Sequence, residues 1–263
     1  MLEIQKLSKT FFPGTVNERK ALQGINLTLN DGDFVTVIGS NGAGKSTLLN
    51  MIGGRLRPDT GSVSTDGRNV TKIPEHRRAR WVGRVFQDPM AGTAPHLSVE
   101  ENLSVAAGRT RLRSLQPGVS RKDRAWFVKE LASLELGLEN RLKAEVGLLS
   151  GGQRQALSLL MATMTHPSIL LLDEHTAALD PQRAALVSGL TGAIVERDKL
   201  TTLMVTHNME QALQLGNRLI MMHEGRIILE VTEERKAQMT VKDLLGEFDK
   251  LKGVVLSDAT LLQ

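Results

Sequence analysis

Gly39-Ser40-Asn41-Gly42-Ala43-Gly44-Lys45-Ser46-Thr47 is the stretch that decides how this chain is read. An apolar run, Phe34-Val35-Thr36-Val37-Ile38, precedes it, and Leu48-Leu49-Asn50-Met51-Ile52 follows as the start of a helix. Strand, glycine loop and helix in that order form the context a phosphate-binding loop requires. Gly39, Gly42 and Gly44 permit backbone angles closed to other residues and let amide N–H groups approach phosphate oxygens. The helix N-terminus adds partial positive charge. Lys45 can reach β- and γ-phosphates, and the Ser46 hydroxyl can ligate Mg²⁺.

The 263 residues suffice for one large α/β domain, or a core with a smaller lobe. Hydrophobic residues make up 41% and charged residues 24%, the balance of a globular composition. No apolar run approaches the ~20 residues of a membrane span, and Met1-Leu2-Glu3-Ile4-Gln5 lacks the basic-then-apolar pattern of a signal peptide. Cysteine is absent, which excludes disulfides and thiolate metal sites. The net charge of +4 permits contact with an anionic partner without demanding one. Aromatics are only 3%, with no Tyr, so stacking platforms for nucleic acid are scarce and none is expected as a partner.

Residues 2–7 and 25–30 alternate apolar and polar, as half-buried strands do. Phe11-Phe12-Pro13-Gly14 sets an aromatic pair before a turn. Asp31-Gly32-Asp33 reads as a hairpin signal leading into the phosphate-loop strand. Residues 62–66 read as one more short strand, so an antiparallel sheet is expected beside the nucleotide core. Gly83 to Pro89 reads as a strand ending in a polar break, with Gln87 at its end. Ser98 and Glu101 form a capping box. Residues 109–124 are rich in Arg and Lys around Pro117-Gly118, and read as a basic connector between helices. The tail from Thr240 to Lys252 has apolar residues at helical spacing.

Leu149-Ser150-Gly151-Gly152-Gln153 precedes a strongly apolar helix. Ser150 and Gln153 again form a capping box. Yet Gly151 and Gly152 in the first turn cost ~1 kcal/mol each against Ala. A helix end that must approach a phosphate closely gains from them. Ser168 to Leu172 is a continuous apolar run, a strand buried on both faces, and Asp173-Glu174 follow it. Asp180-Pro181 is a helix cap with Pro at the first helical position. Thr201 to Thr206 is another strand, ended by His207. Residues 218–222 and 226–231 read as a closing strand pair around Glu224-Gly225.

Three strands thus end in chemically loaded positions: Gly39 onward, Asp173-Glu174 and His207. In an open parallel sheet, ligands sit outside the carboxyl ends of strands, so these groups should converge on one nucleotide. Asp173 has the place and charge to hold Mg²⁺, directly or through water. Two adjacent carboxylates cannot both be core residues without cost. Glu174 is then free to orient or deprotonate the attacking water. His207 fits a γ-phosphate sensor, and Gln87 a ligand for Mg²⁺ and the attacking water.

With these motifs in order, the chain resembles the ATP-binding-cassette (ABC) ATPases of membrane transporters, over about residues 2–231. The resemblance rests on the phosphate loop 39–47, Gln87 as the Q-loop, Leu149 to Gln153 as the signature, Ile169 to Glu174 as Walker B, Ala177-Ala178-Leu179-Asp180 as the D-loop and His207 as the switch histidine. It implies an α/β fold: a RecA-like core with an antiparallel β-subdomain, and a helical subdomain bearing the signature. On that pattern residues 1–87 and 161–235 are the core, about 88–160 the helical lobe, and 236–263 a terminal helix and tail. It implies ATP and Mg²⁺, and a head-to-tail dimer in which Ser150, Gly151, Gly152 and Gln153 of one chain complete the phosphate loop of the other. It implies an adenine-stacking aromatic, for which Phe11, following Lys9-Thr10, fits better than Phe12. His175 stands where most relatives carry Pro, and the adenine aromatic is Phe rather than the commoner Tyr.

The resemblance further implies the motor subunit of a transporter at the cytoplasmic face of the membrane. It would dock on a separate permease through the groove beside Gln87, Asp88, Pro89 and Met90. The single short cassette and Gln153-Arg154 resemble bacterial import systems, which add an extracytoplasmic substrate-binding protein. Glu174-His175-Thr176-Ala177-Ala178-Leu179-Asp180 resembles a branch linked to small solutes such as aromatic amino acids. A lipid or lipoprotein exporter ATPase is the alternative that sequence separates least well. Non-transport cassettes fit worse: no long coiled-coil insertion separates loop from signature, and only one cassette is present.

Overall fold

The computed structural model describes residues 1–109, 118–248 and 250. In chain order the elements are β1 (Leu2–Phe11), β2 (Arg19–Leu29), β3 (Phe34–Gly39), α1 (Lys45–Gly53), β4 (Thr60–Thr65), β5 (Arg68–Asn69), α2 (Glu75–Arg78), β6 (Val82–Val85), α3 (Val99–Ala107) and α4 (Arg121–Ala132). They continue with α5 (Gly151–Thr163), β7 (Ile169–Asp173), α6 (Pro181–Asp198), β8 (Thr202–Val205), α7 (Met209–Gln214), β9 (Arg218–His223), β10 (Arg226–Val231) and α8 (Glu233–Lys236). Residues 241–248 are helical, matching the apolar spacing there. Among the described residues no helix is long and apolar enough to cross a membrane.

Among the described residues, ten strands form two sheets. The first is antiparallel, in the order β2-β1-β4-β5. The second runs β10-β9-β3-β8-β7-β6, and its pairings are parallel except for the closing β9–β10 hairpin. Its central strands are buried and mostly apolar because both faces are covered. Leu170, Leu171, Leu172, Val35 and Val37 have no exposure, and each such side chain contributes about 1.5–3 kcal/mol on burial. The Asp31-Gly32-Asp33 turn exists, with Asp33 N–H donating to Asn30 O. The hairpin expected there does not: β2 and β3 lie in different sheets. A turn signal fixes a reversal, while partner choice follows from burial, and β3 is buried on both faces between β8 and β9.

Smaller differences follow from hydrogen bonding. β1 and β2 are longer than their alternating runs, because the pair continues through irregular register to Phe11 opposite Arg19. β4 starts and ends one or two residues before the expected span, at Thr60–Thr65, and Asp66 takes a left-handed φ of 51° in the turn. β6 stops at Val85, so Gln87 lies two residues beyond its strand.

All three expected capping boxes or caps are formed: Ser98 with Glu101 on α3, Ser150 with Gln153 on α5, and Asp180 on α6. Ser120 with Asp123 adds another on α4. The α3–α5 helices share one apolar cluster with a face of the large sheet through Val85, Leu170, Leu172 and Met204. The basic connector is largely outside the described residues, at 110–117. On its flank, Arg124 Nε pairs with the buried Glu100 at 2.8 Å, which Lys143 also contacts.

Arg78 fixes the helix after the phosphate loop. It is 1% exposed and donates to Met51 O (2.6 Å) and Ile52 O (2.8 Å) at the end of α1, and to Ile73 O and Thr71 O. Burial pushes its pKa down to about 10, so it stays charged near neutral pH. It supplies the last carbonyls of α1 with donors they lack within the helix.

Candidate nucleotide-binding site

The loop between β3 and α1 is built for an anion. Gly44 sits at the helix N-cap with φ 100°, and a Cβ there would stand 2.3 Å from Ala21 O. No side chain caps α1 and no acid occupies its first turn, so its first N–H groups face the loop without a protein acceptor. Lys45 is 5% exposed and donates to Gly39 O (2.7 Å) and Ser40 O (3.0 Å). Burial lowers its pKa, and the nearby Glu174 and Asp173 oppose that shift.

A cavity of about 260 Å³ opens over this loop. Its lining joins residues 41–47 to Phe11, Arg19, Ala21, Glu174 and His207. Three separate strand ends therefore converge, as the motif order anticipated. Glu174 follows β7 with φ 48°, a left-handed conformation that costs a non-glycine residue about 1 kcal/mol. Its N–H donates to Val205 O at 3.0 Å, which ties the residue to the end of β8. His207 Nε2 lies 2.6 Å from Glu174 Oε1. His207 is steadied by its neighbours: Thr206 Oγ1 donates to Gln211 Oε1, and Gln211 Nε2 donates to Ser188 and Thr176 hydroxyls. Gln211 carries no motif, and only the fold reveals it.

Asp173 and Gln87 do not line that cavity. Asp173 Oδ2 accepts from Arg84 Nη2 at 2.8 Å, and Arg84 Nη1 donates to Asn50 Oδ1 at 2.7 Å. The guanidinium also lies 4.7 Å from the Phe86 ring. Arg84 thus bridges β6, α1 and β7 beneath the site. Nothing in the sequence marks it, because it occupies an ordinary strand position. A Mg²⁺ ion fits this donor set: such ions use one or two carboxylates or hydroxyls with substrate phosphates, and Ser46 lies on the cavity while Asp173 keeps Oδ1 clear of Arg84. Bound there, the ion would neutralise phosphate charge.

Ser150, Gly151, Gly152 and Gln153 lie at the start of α5 and do not line the cavity of their own chain. Gly151 and Gly152 pack near Leu179 Cδ2 and the Arg183 side chain, 3.3–3.4 Å from where a Cβ would sit. Arg154 donates to the carbonyls of Val146, Gly147 and Leu149, fixing the approach to the signature. Gln155 Nε2 reaches Phe86 O at 3.2 Å and links α5 to the segment before Gln87. Asp180 caps α6 by accepting from Arg183 N–H at 3.1 Å.

This arrangement is matched by the ABC transporter family model over residues 22–177, and the chain belongs to that family. It is an ATPase whose ATP hydrolysis is coupled to transport. The chain is 44% identical, over 95% of its length and 99% of the relative, to the tyrosine transport ATP-binding protein of Clostridioides difficile (strain R20291). It is 34% identical, over 94% of its length and 92% of the relative, to the L-cystine import ATP-binding protein TcyN of Bacillus subtilis (strain 168). Among solved structures it is similar to a dimeric post-hydrolysis state of an ATP-binding cassette bound to ADP and Pi. That match has a TM-score of 0.75 and 29% identity, and covers 89% of this chain and 99% of the other.

Proposed function

We propose that this chain powers the import of a small solute of the aromatic amino-acid class, tyrosine foremost, through a separate membrane permease. The observation that carries the solute is the 44% identity, nearly end to end, with the tyrosine transport relative. In this reading Phe11 stacks on adenine, residues 39–47 and Lys45 hold the phosphates, and Ser46, Asp173 and Gln87 attend Mg²⁺. Glu174 orients or deprotonates the attacking water, and His207 reads the γ-phosphate. Ser150, Gly151, Gly152 and Gln153 serve the site of a second copy, with Asp180 at the same junction. Their absence from the lining of their own cavity supports that division. The permease holds the chain at the cytoplasmic face, and an extracytoplasmic binding protein delivers the solute.

The test is reconstitution with a candidate permease and binding protein from the same genome. ATP turnover in proteoliposomes should rise with tyrosine-loaded binding protein, and labelled tyrosine should accumulate inside. Stimulation by a different solute would move the cargo. Turnover indifferent to any permease would reject the transport role.

A further inference from the structure

The cavity holds a second cation that the motifs do not account for. Antiparallel register sets Arg19 on β2 directly opposite Phe11 on β1. Both side chains line the cavity over the loop. Arg19 Nη2 donates to Gly42 O at 3.0 Å, and it stands 2.6 Å from where a Gly42 Cβ would be. Among the described residues no carboxylate forms an ion pair with it.

Geometry sets the two cations at different parts of the loop. Lys45 is folded onto the carbonyls of Gly39 and Ser40. Arg19 lies over Gly42, on the side of the aromatic ring. A guanidinium has five donors in a planar fork, and a neutral carbonyl is a poor match for it beside a phosphate, which accepts charge-assisted bonds roughly twice as strong. The left-handed Gly42, with φ 84° and no side chain, leaves the space the guanidinium fills.

We propose that Arg19 is a nucleotide-binding residue that grips the phosphate nearest the sugar, between a base on Phe11 and terminal phosphates on Lys45. This rests on the nucleotide reading of the cavity given above. The contact is shared by di- and triphosphates, because the γ-phosphate belongs to the other end, near Glu174 and His207.

The experiment measures ATP and ADP affinity of the full chain by titration calorimetry with magnesium present, for wild type, Arg19→Ala, Arg19→Lys and Lys45→Ala. Arg19→Ala should weaken ATP and ADP by equal factors, on the order of tenfold. Arg19→Lys should recover part of that loss, since a point charge replaces a fork. The nucleotide-free unfolding midpoint should not move, because Arg19 is exposed. Unchanged or tighter ATP binding by Arg19→Ala would overturn the proposal, as would a loss confined to ATP. Should Lys45→Ala also bind ATP normally, the nucleotide reading of the cavity itself would fail. A loss in Lys45→Ala with wild-type affinity in Arg19→Ala would sink only the role of Arg19.

Discussion

The His207 imidazole Nε2 lies 2.6 Å from Glu174 Oε1, and the pair forms the wall between two cavities. On one side is the loop cavity, and on the other a groove of about 860 Å³ along α6 and α7. The carboxylate is only 13% exposed, while the imidazole is 46% exposed and has room to turn. The carboxylate proposed to handle water thus sits against the imidazole proposed to sense phosphate.

Glu174→Gln removes the charge and keeps the shape. Turnover should fall at least about 100-fold, the usual scale for loss of a general base, while ATP binding persists. With ATP present the variant should run as a dimer in light-scattering chromatography. A monomer that hydrolyses ATP at the normal rate would show the role of Glu174 to be wrong.

Phe11 and Phe12 separate cleanly in the structure. Phe11 lines the cavity, whereas Phe12 has a φ of 51° and is 67% exposed. Phe11→Ala should weaken ATP by about tenfold, within the 1–3 kcal/mol range of base stacking. Phe12→Ala should change it little. Fluorescent-nucleotide titrations giving the opposite order would shift the adenine contact by one residue.

Gly151→Ala tests the signature without disturbing the fold. Its intrachain neighbour is the flexible end of Leu179 at 3.3 Å, which a methyl group displaces by a few tenths of an ångström. The unfolding midpoint should hold, while ATP-driven dimerisation of a Glu174→Gln background should be lost. Normal dimers would free the signature from any part in the partner's site.

Arg84→Met should destabilise by about 1.5–3 kcal/mol, the scale of hydrogen bonds to charged groups, since it strands Asp173 and Asn50 in a mostly buried place. Arg84→Lys should recover part of it, because an ammonium cannot span both partners. Urea unfolding curves that leave Arg84→Met unchanged would dismiss the bridge as a contributor.

His175 is 2% exposed, and burial pushes its pKa from 6.5 to about 4. Thr191 donates its hydroxyl to Val187 O, so His175 Nε2 must donate to Thr191 Oγ1 across 2.9 Å, as a neutral ring. The unfolded chain binds this proton more readily, so the contribution is complete above pH 6.5 and declines as pH falls toward 4. Between about pH 7.5 and about pH 5.5 the loss should be on the order of 1 kcal/mol. His175→Gln keeps a donor without the titration, and should flatten that part of the unfolding profile. An unaltered profile would refute the assignment.

Local chemistry made much of the fold legible. The glycine loop, the capping serines and the apolar runs of β3 and β7 each follow from residues near one another in the chain, where backbone angles and side-chain periodicity are set. Motif order placed Lys45, Glu174 and His207 together, because parallel strands deliver their carboxyl ends to one edge. Arg19, Arg84, Arg78 and Gln211 were illegible, since each acts on a partner remote in sequence. The Asp31-Gly32-Asp33 turn shows the division most plainly. Its residues dictate a reversal, but which sheet receives β2 and which receives β3 is decided by pairing and burial across the whole molecule. The sequence alone determined a strand, a phosphate loop and the acids to serve it. Only the tertiary structure decided the cations beside them, because hydrogen bonds between distant strands leave no periodic trace in the chain.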